Sequence, residues 1–272
     1  MSILHEKRFA VIGAGNIGRI LLDRLRHAGV SEARLVVCDS DTERASAASA
    51  RYGVRAAALE DEVVCQADAW LIATSPGSVV DVVKALAETM HPGQVVISFA
   101  AAVPLSRLES LIPEGVSVVR VMPNAPSLVG RGMNPVVYGA SATPDARALV
   151  EAVLATLGDS IEVADDQMNW CVGLSGAAMR SLVPVLEGMT QAGVEAGLSE
   201  RDARRVAAQV MLGTAVIALE TNLSWEEIKG LTPMQTVDEP AVARLFVEAA
   251  YSAKAKADGL QRKLWEANPS AL

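Results

Sequence analysis

Three glycines near the amino terminus have the spacing of a turn that binds phosphate. Gly13, Gly15 and Gly18 form the pattern G-x-G-x-x-G directly after the short apolar run FAVI. In this fingerprint the first glycine permits a tight turn, the second lets the backbone approach a pyrophosphate, and the third lets a helix pack closely. The N–H groups at the start of that helix, which includes Asn16 and Ile17, would point at the phosphates. The pattern therefore predicts a dinucleotide site, the alternative being a purely structural glycine turn.

Asp39 follows a second apolar run, about 20 residues after the glycines, where such folds hold the adenosine ribose. A carboxylate at this point accepts hydrogen bonds from ribose hydroxyls and repels a 2′-phosphate, which favours NADH over NADPH. Arg44 lies five residues on and would weaken this discrimination. The alternative role for Asp39 is that of a helix cap. We therefore predict NAD(P)H as the cofactor, with NADH slightly favoured and with Asp39 and its neighbour Ser40 in the site.

The residues around these motifs alternate between apolar runs and helical patterns. Strands are predicted at 33–38, 68–73, 94–99 and 116–122, a brief one at 53–55, and helices at 16–27, 42–52, 77–90 and 104–111. This alternation predicts an α/β fold with a Rossmann-like, doubly wound and mostly parallel sheet, whose ligands bind at the carboxyl ends of the strands. The residues expected at those ends are Gly13, Asp39, Thr74, Ser98 and residues 122–124.

The pattern changes in the carboxyl-terminal half. Two further strands are predicted at 134–139 and 159–164 around a helix at 145–157, and after residue 165 the sequence has only long helical patterns, at 167–197, 199–221 and 237–259. We therefore predict a dinucleotide-binding domain at 1–165 and an all-α domain at 166–272. Small apolar residues cover so much of the helical surface that the second domain is expected to pack against a second copy of the chain.

The composition argues against several classes of partner. The formal net charge is −8, which argues against a surface for nucleic acid or anionic membrane. The three cysteines lie far apart and give neither a disulfide framework nor the spacing of a metal site, so we expect no metal and a reducing compartment. The sequence shows neither an apolar signal segment nor a run long enough to cross a bilayer. The expectation is a soluble cytoplasmic protein.

One segment is typical of a known family. RVMPNAPSLVGRG, at residues 120–132, strongly resembles the pyrroline-5-carboxylate reductase family, and the resemblance extends over nearly the whole chain, including VIGAGNIG, ISFAAAV, LSG and AGVEAGLSERDARRVAAQVMLGTA. It implies an enzyme that reduces the C=N bond of a five-membered cyclic imine with NAD(P)H and forms homodimers through its helical domain, often assembled into rings of dimers. We include Ala100 and Met122 in the cofactor site. By the same resemblance Asn124 faces the cofactor, although an asparagine between two prolines is equally typical of a turn.

Three motifs of that family are altered in this chain. The family's LSGSGPA is LSGAAMR at 174–180, and its V-K-P is Thr74-Ser75-Pro76, which we include in the cofactor site. A glycine-rich turn that in the family opens a helix and holds the substrate carboxylate is LTPMQTVD at 231–238. Both of its glycines and most of its hydroxyl groups are gone, and these changes affect the substrate site rather than the hydride chemistry.

The remaining hydroxyl groups at the family's substrate positions belong to Ser175 and Thr232, which we predict as catalytic residues. Gly176, Arg180 and Asp238 are predicted to contact the substrate. A guanidinium binds a carboxylate with two hydrogen bonds, so Arg180 has this role or is a surface arginine. Asp238 would favour a cationic group or cap the last helix.

Residues needed for carbonyl reduction are missing from the expected places. His5, His27 and His91 lie in the first third of the chain, and no lysine occurs between Lys84 and Lys229. The nitrogen of a cyclic imine is basic enough to arrive protonated, so its reduction requires orientation more than a general acid. This argument favours imine reduction, and the resemblance to the pyrroline-5-carboxylate reductase family implies that the reaction is 1-pyrroline-5-carboxylate to L-proline. Two alternatives stay open: a different imine or carbonyl substrate, and a non-catalytic dinucleotide-binding regulatory protein.

Overall fold

The computed structural model describes residues 3–100 and 102–265, which divide into two compact units. The first unit comprises the residues up to Gly176 together with those from Ser252 onward, and the second is Ala177–Tyr251. No helix within the described ranges is long and apolar enough to cross a membrane.

Eight strands form one sheet in the first unit: β1 (Phe9–Ile12), β2 (Leu35–Cys38), β3 (Arg55–Ala56), β4 (Ala69–Ile72), β5 (Val95–Ser98), β6 (Ser117–Val121), β7 (Gly132–Tyr138) and β8 (Gly158–Glu162). Their spatial order is β3-β2-β1-β4-β5-β6-β7-β8. Neighbours from β3 to β6 are parallel, β7 runs antiparallel to β6, and β8 is parallel to β7. The predicted doubly wound, mostly parallel sheet is therefore confirmed.

The helices of this unit connect the strands and cover the sheet: α1 (Asn16–His27), α2 (Thr42–Tyr52), α3 (Glu62–Cys65), α4 (Val79–Ala87), α5 (Leu105–Glu109), α6 (Pro144–Leu157) and α7 (Met168–Cys171). The short helix α3 was not expected from the sequence. The central strands are buried on both faces, because successive side chains point into two different cores. Phe9 and Val11 belong to one apolar cluster, and Ala10, Ile12 and Trp70 belong to the other.

The strand order reverses beside β1. Phe9 pairs with Leu35 of β2 on one side and with Ala69 of β4 on the other. The chain therefore leaves β1 and β4 in opposite directions across the sheet, and their following loops separate. In open α/β sheets, ligands bind in the crevice formed at this point.

The segment before the second unit is not the continuous helix predicted at 167–197, and that prediction is wrong. A 3₁₀ turn, Asp165–Gln167, leads into α7, which is followed by a π-helical turn, Val172–Gly176, before α8 (Ala178–Glu195) begins. Gly173 and Gly176 lie in the π turn, and glycine is a poor former of regular helix. Such π turns occur frequently at functional sites.

The second unit is helical, as predicted. It contains α8, α9 (Glu200–Glu220), α10 (Trp225–Gly230) and the start of α11 (Glu239–Trp265). Helices α8 and α9 approach closely, because a Cβ on Gly193 would lie 2.8 Å from the Cβ of Ala203. The sequence analysis did not predict α10, although Ser224 and Glu227 form a capping box at its start.

The end of α11 packs with the first unit. Asn169 donates hydrogen bonds from its Nδ2 to Asp258 at 2.9 Å and to Gln261 at 3.0 Å, and the indole N–H of Trp265 donates to the Ala102 carbonyl at 2.6 Å. These compact units differ from the sequence-based ranges 1–165 and 166–272, because long-range contacts join residues 252–265 to the sheet. The predicted ranges were based on local sequence patterns, which do not report contacts between distant segments.

Candidate functional site

A pocket of about 590 Å³ lies at the carboxyl ends of β1, β2 and β4, where the strand order reverses. We call it the crevice pocket. Among the residues predicted to bind the cofactor it brings together Gly13, Gly15, Asp39, Ser40, Thr74 and Ser75. Its walls also include the apolar residues Ala57, Leu59 and Val82 and the charged residues Arg44, Glu60 and Asp81.

Each of the three fingerprint positions requires or permits glycine for a different structural reason. Gly13 has a φ of +100°, and a Cβ on it would lie 2.7 Å from the carbonyl oxygen of Ala73. A Cβ on Gly18 would collide with the carbonyl oxygen of Gly13. Gly15 is the N-cap of α1, and apart from its own chain neighbours no described residue has an atom within 4 Å of its Cβ position. The open space at Gly15, beside a helix N-terminus without acidic residues in its first turn, suits a phosphate.

Asn16 and Ile17 lie in the first turn of α1. The exposed Asn16 accepts a hydrogen bond on its Oδ1 from Arg19 at 2.8 Å, and Ile17 packs against the core. Their side chains therefore have partners within the protein, and their backbone N–H groups are the atoms suited to a phosphate.

The Asp39 carboxylate holds the glycine turn in place. Its side chain is 6% exposed. Its Oδ2 accepts a hydrogen bond from the N–H of Ala14 at 2.7 Å, and its Oδ1 accepts one from the N–H of Asp41 at 2.9 Å. The guanidinium of Arg44 lies 3.7 Å from the same Oδ2. Asp41, not Asp39, caps α2 by accepting the N–H of Arg44 at 3.1 Å, so the helix-cap role considered for Asp39 is wrong.

The loop after β4 lines the opposite wall with hydroxyl groups. The Oγ1 of Thr74 is buried and has no hydrogen-bond partner among the described residues. The hydroxyl groups of Ser75 and Ser78 are 2.9 Å apart and share a hydrogen bond, and Pro76 follows in the same loop. An unpaired buried hydroxyl costs about 1–3 kcal/mol, which a ligand that bonds to Thr74 would recover. The residues of this pocket therefore fit a dinucleotide.

A thiol also lines the crevice pocket. Burial, reinforced by Asp61 and Glu60, raises the pKa of Cys38 to about 12. The group is therefore a neutral thiol at physiological pH and does not act as a nucleophile.

The loop after β6 meets the π turn in the first unit. Asn124 accepts the N–H of Met133 on its Oδ1 at 3.1 Å and donates from its Nδ2 to the carbonyl of Ser175 at 3.4 Å. A Cβ on Gly176 would lie 2.5 Å from the Cε of Met122, so glycine permits this contact. The structure thus brings Met122, Asn124, Ser175 and Gly176 together, and the amide of Asn124 acts at least as a turn-fixing group.

The buried hydroxyl of Ser175 donates to the carbonyl of Cys171 at 2.9 Å. The segment that carries it is fixed at its start by Arg120 of β6, which is 1% exposed and whose Nη1 lies 2.5 Å from the Oδ1 of Asp165. Burial lowers the pKa of Arg120, and the charge of Asp165 opposes this effect. Ala100, in the turn after β5, is buried, and its N–H donates to the Oγ of Ser98 at 3.4 Å.

Three predicted substrate residues belong to the second unit. Arg180 is exposed near the start of α8, and Thr232 is exposed in the segment between α10 and α11. Asp238 caps α11, because its Oδ1 accepts the N–H of Ala241 at 3.0 Å. Of its two predicted alternatives, the helix cap is the one that the structure contains.

Sequence reasoning missed four residues of the first unit that shape the site: Glu60, Asp81, Asp165 and Trp265. Each lies outside the recognised motifs and approaches the site only through tertiary packing. A capping pattern or a charge pattern would not have identified them. Within the described residues there is no group of three or more His, Cys, Asp or Glu side chains that could hold a metal ion.

Two protein-family models match the chain. Residues 8–102 match the model described as NADP oxidoreductase coenzyme F420-dependent. Residues 165–236 match the model described as pyrroline-5-carboxylate reductase dimerisation. The first match contains the glycine turn and Asp39, and the second contains the π turn, α8, α9 and α10.

Individual relatives give the same result. The chain is 33% identical over 219 residues to the pyrroline-5-carboxylate reductase of Mycobacterium tuberculosis strain H37Rv, covering 78% of this chain and 74% of that protein. It is 29% identical over 271 residues to the pyrroline-5-carboxylate reductase of Methanosarcina acetivorans, covering 96% of this chain and 100% of that protein. The crystal structure of Plasmodium falciparum pyrroline carboxylate reductase with NADP bound aligns with a TM-score of 0.81, over 94% of this chain and 99% of that chain. At 16% sequence identity, this similarity is one of fold.

Proposed function

Because the chain belongs to the pyrroline-5-carboxylate reductase family, and is therefore an NAD(P)-dependent oxidoreductase, we propose that it reduces 1-pyrroline-5-carboxylate to L-proline. The observation that carries the proposal is the crevice pocket. There an open glycine turn, a buried carboxylate and a buried hydroxyl that has no hydrogen-bond partner among the described residues line one cavity. That combination suits the diphosphate and ribose of a dinucleotide.

In this proposal the first unit holds the cofactor. The N–H groups at Gly15 and the first turn of α1 bind the diphosphate, and Asp39 binds the adenosine ribose. Ala57, Leu59 and Val82 provide apolar walls for the adenine base. When bound, the nicotinamide supplies the hydride that adds to the imine carbon.

We further propose a preference for NADH over NADPH. Arg44 is the cation best placed to attract a 2′-phosphate, but it lies 3.7 Å from Asp39 and 3.2 Å from Asp41. Glu60 and Asp81 add two more carboxylates to the same pocket. A dianionic phosphate would therefore enter a region in which acidic groups outnumber the single arginine. This balance supports the choice of the cofactor without that phosphate.

The chain's own contribution to the chemistry is orientation and control of one proton. The Ser175 hydroxyl donates a hydrogen bond to the Cys171 carbonyl, so its oxygen remains available to accept a hydrogen bond from the N–H of a protonated imine. That hydrogen bond would keep the proton on the nitrogen while the carbon receives hydride, and the product is the secondary amine. Thr232 is the second proposed hydroxyl, and Arg180 is proposed to bind the substrate carboxylate.

The test is oxidation of NADH and of NADPH by the purified protein with 1-pyrroline-5-carboxylate. A six-membered cyclic imine and a linear 2-oxo acid with ammonia serve as comparison substrates. We expect a kcat/KM of at least about 10⁴ M⁻¹s⁻¹ with the five-membered imine, the low end for ordinary enzymes. Binding of NADH without turnover of any substrate would instead indicate a non-catalytic dinucleotide-binding protein.

A second candidate is reduction of a related imine without a carboxylate. Asp238 is the observation that favours it, since its carboxylate already accepts a hydrogen bond from one of the N–H groups at the start of α11, that of Ala241. In the resemblance described above, those are the groups that would hold the substrate carboxylate. A negative charge there would repel an anionic substrate and tolerate a neutral or cationic one.

We also propose that the protein is a homodimer, formed through its dimerisation domain. Only Ala203 and Ala207 are buried among the described residues of α8, α9 and α10. Large apolar side chains are exposed along the same helices, among them Val183, Met189, Val206, Val210 and Leu212. An apolar surface of this kind is typical of a protein–protein interface.

A further inference from the structure

The last helix ends at the turn that follows β5. The indole N–H of Trp265, the final described residue of α11, donates to the carbonyl of Ala102 at 2.6 Å. The ring also packs against the apolar cluster that contains Ala100 and Val103. The contact joins residues 163 positions apart in the sequence.

The same turn is held at two other points. Within the turn the N–H of Val103 donates to the carbonyl of Ala100 at 3.2 Å. At its far end the N–H of Leu105 donates to the Oδ2 of Asp165 at 3.3 Å. The bond from Trp265 is the attachment that holds the Ala102 carbonyl, and its donor lies 163 positions away in the sequence.

The position of the turn connects it with one half of the cofactor. In a doubly wound sheet each half of the dinucleotide lies over one set of strands, on either side of the point where the order reverses. The glycine turn and Asp39 follow β1 and β2, on the adenosine side. Ala100, Ala102 and Val103 follow β5, which lies beyond β4 on the other side of that point, and they therefore face the nicotinamide half.

The end of α11 is anchored independently of the turn. Asn169 bonds to Asp258 and Gln261, and Lys254 bonds to Asp258 at 2.6 Å. The ammonium of Lys254 also lies 5.3 Å from the ring centroid of Trp170. These contacts place the helix so that Trp265 reaches the Ala102 carbonyl in a fixed geometry.

We propose that Trp265 is a positioning residue that fixes the turn after β5 for the nicotinamide half of the cofactor. The inference rests on the proposed dinucleotide cofactor. Trp265 lies outside both matched family regions, 8–102 and 165–236. Removal of its N–H leaves the Ala102 carbonyl without this bond, and the turn then has more than one conformation when the nicotinamide binds.

The test compares the binding of NADH with that of ADP-ribose, which lacks the nicotinamide, by calorimetry. W265F keeps an aromatic ring and removes the N–H, and K263A is the matched control because Lys263 is exposed two residues earlier on the same helix. We expect W265F to weaken NADH binding by about threefold to tenfold, the range for loss of one hydrogen bond. The binding of ADP-ribose to W265F should be unchanged, and its kcat for 1-pyrroline-5-carboxylate with NADH should fall. K263A should bind both compounds as tightly as wild type.

Three outcomes overturn the inference. If W265F weakens the binding of NADH and of ADP-ribose equally, Trp265 has only a structural role. If it weakens the binding of neither compound, Trp265 has no such role. If wild type binds neither compound, the proposed cofactor itself is wrong. N169A decides the matter if W265F does not fold, because it releases Asp258 and Gln261 without touching the turn. It should weaken NADH and not ADP-ribose, and an equal effect on both contradicts the proposal.

Discussion

The carboxylate of Asp39 accepts a 2.7 Å hydrogen bond from the backbone N–H of Ala14, and this bond ties the end of β2 to the glycine turn after β1. One side chain therefore shapes the turn proposed to bind the diphosphate and forms the wall proposed to bind the ribose. A change at Asp39 is expected to affect both functions, and the experiments must separate them.

Asp39→Ser should raise the KM for NADH and lower the ratio of the NADPH to the NADH KM. The serine removes the charge that repels a 2′-phosphate and leaves Arg44 opposed by one carboxylate fewer. Steady-state kinetics with both cofactors gives the ratio. Asp68→Ser is the control, since Asp68 accepts the backbone N–H of Arg8 at 2.7 Å before β1, at the opposite end of the strands from Asp39, and should leave the ratio unchanged. An unchanged ratio in Asp39→Ser would restrict Asp39 to its structural bond with Ala14.

Gly15→Ala and Gly18→Ala should separate cofactor binding from folding. Space at Gly15 is open, so G15A should fold with a Tm close to wild type, whereas its methyl group should raise the KM for NADH at least tenfold. A methyl group on Gly18 would collide with the Gly13 carbonyl, so G18A should lose about 2 kcal/mol or more of unfolding free energy. Thermal and urea denaturation provide the comparison. Normal NADH affinity in G15A would argue against a diphosphate at this turn.

The ion pair between the buried Arg120 and the half-buried Asp165 should show coupling. Asp165→Ala removes the carboxylate partner of a cation that is 1% exposed, but the Asp165 side chain is itself 35% exposed, so the expected cost is about 3 kcal/mol of unfolding free energy, the low end for a buried pair. The double variant R120M/D165L should be much less destabilised, because it removes both charges. Urea denaturation of wild type, R120M, D165L and R120M/D165L forms a double-mutant cycle. Additive effects of the two substitutions would show that the pair contributes no coupling.

Asp238→Thr should reveal whether the start of α11 contacts an anionic substrate. Threonine also caps helices, so the change in stability should be below about 1 kcal/mol. Loss of the negative charge should raise kcat/KM for 1-pyrroline-5-carboxylate by about twofold to fivefold, given the usual strength of charge interactions at exposed helix termini. The unsubstituted five-membered imine is the control substrate, with no expected gain. Equal changes with both imines would indicate that Asp238 is a cap alone.

Sedimentation velocity should report at least a dimer for the wild type. Leu212→Glu places a charge on α9, where this side chain is 57% exposed in the single chain, and should weaken the dimer at least tenfold. Ile161→Glu on β8, 53% exposed, is the matched substitution in the first unit and should leave the association unchanged. A monomeric wild type, or a fully dimeric L212E, would contradict the proposed interface.

Features that depend on neighbouring residues were predictable from the sequence. Alternating apolar runs and helical periods predicted the doubly wound sheet, and the glycine spacing predicted the turn after β1, because the positive φ of Gly13 and the close packing of Gly18 are local requirements. The long helices of the second unit were predictable for the same reason. The break at the π turn was not, because the choice among helix types there involves small energy differences.

The contacts of individual side chains depend on the tertiary structure. Asp39 and Asp41 are both acidic residues before α2, and packing determines that one holds Ala14 and the other caps the helix. The contact of Trp265 with Ala102 joins the end of the chain to a turn after a central strand. Side-chain partners of this kind depend on the three-dimensional path of segments that are far apart in sequence, and no local pattern encodes that path.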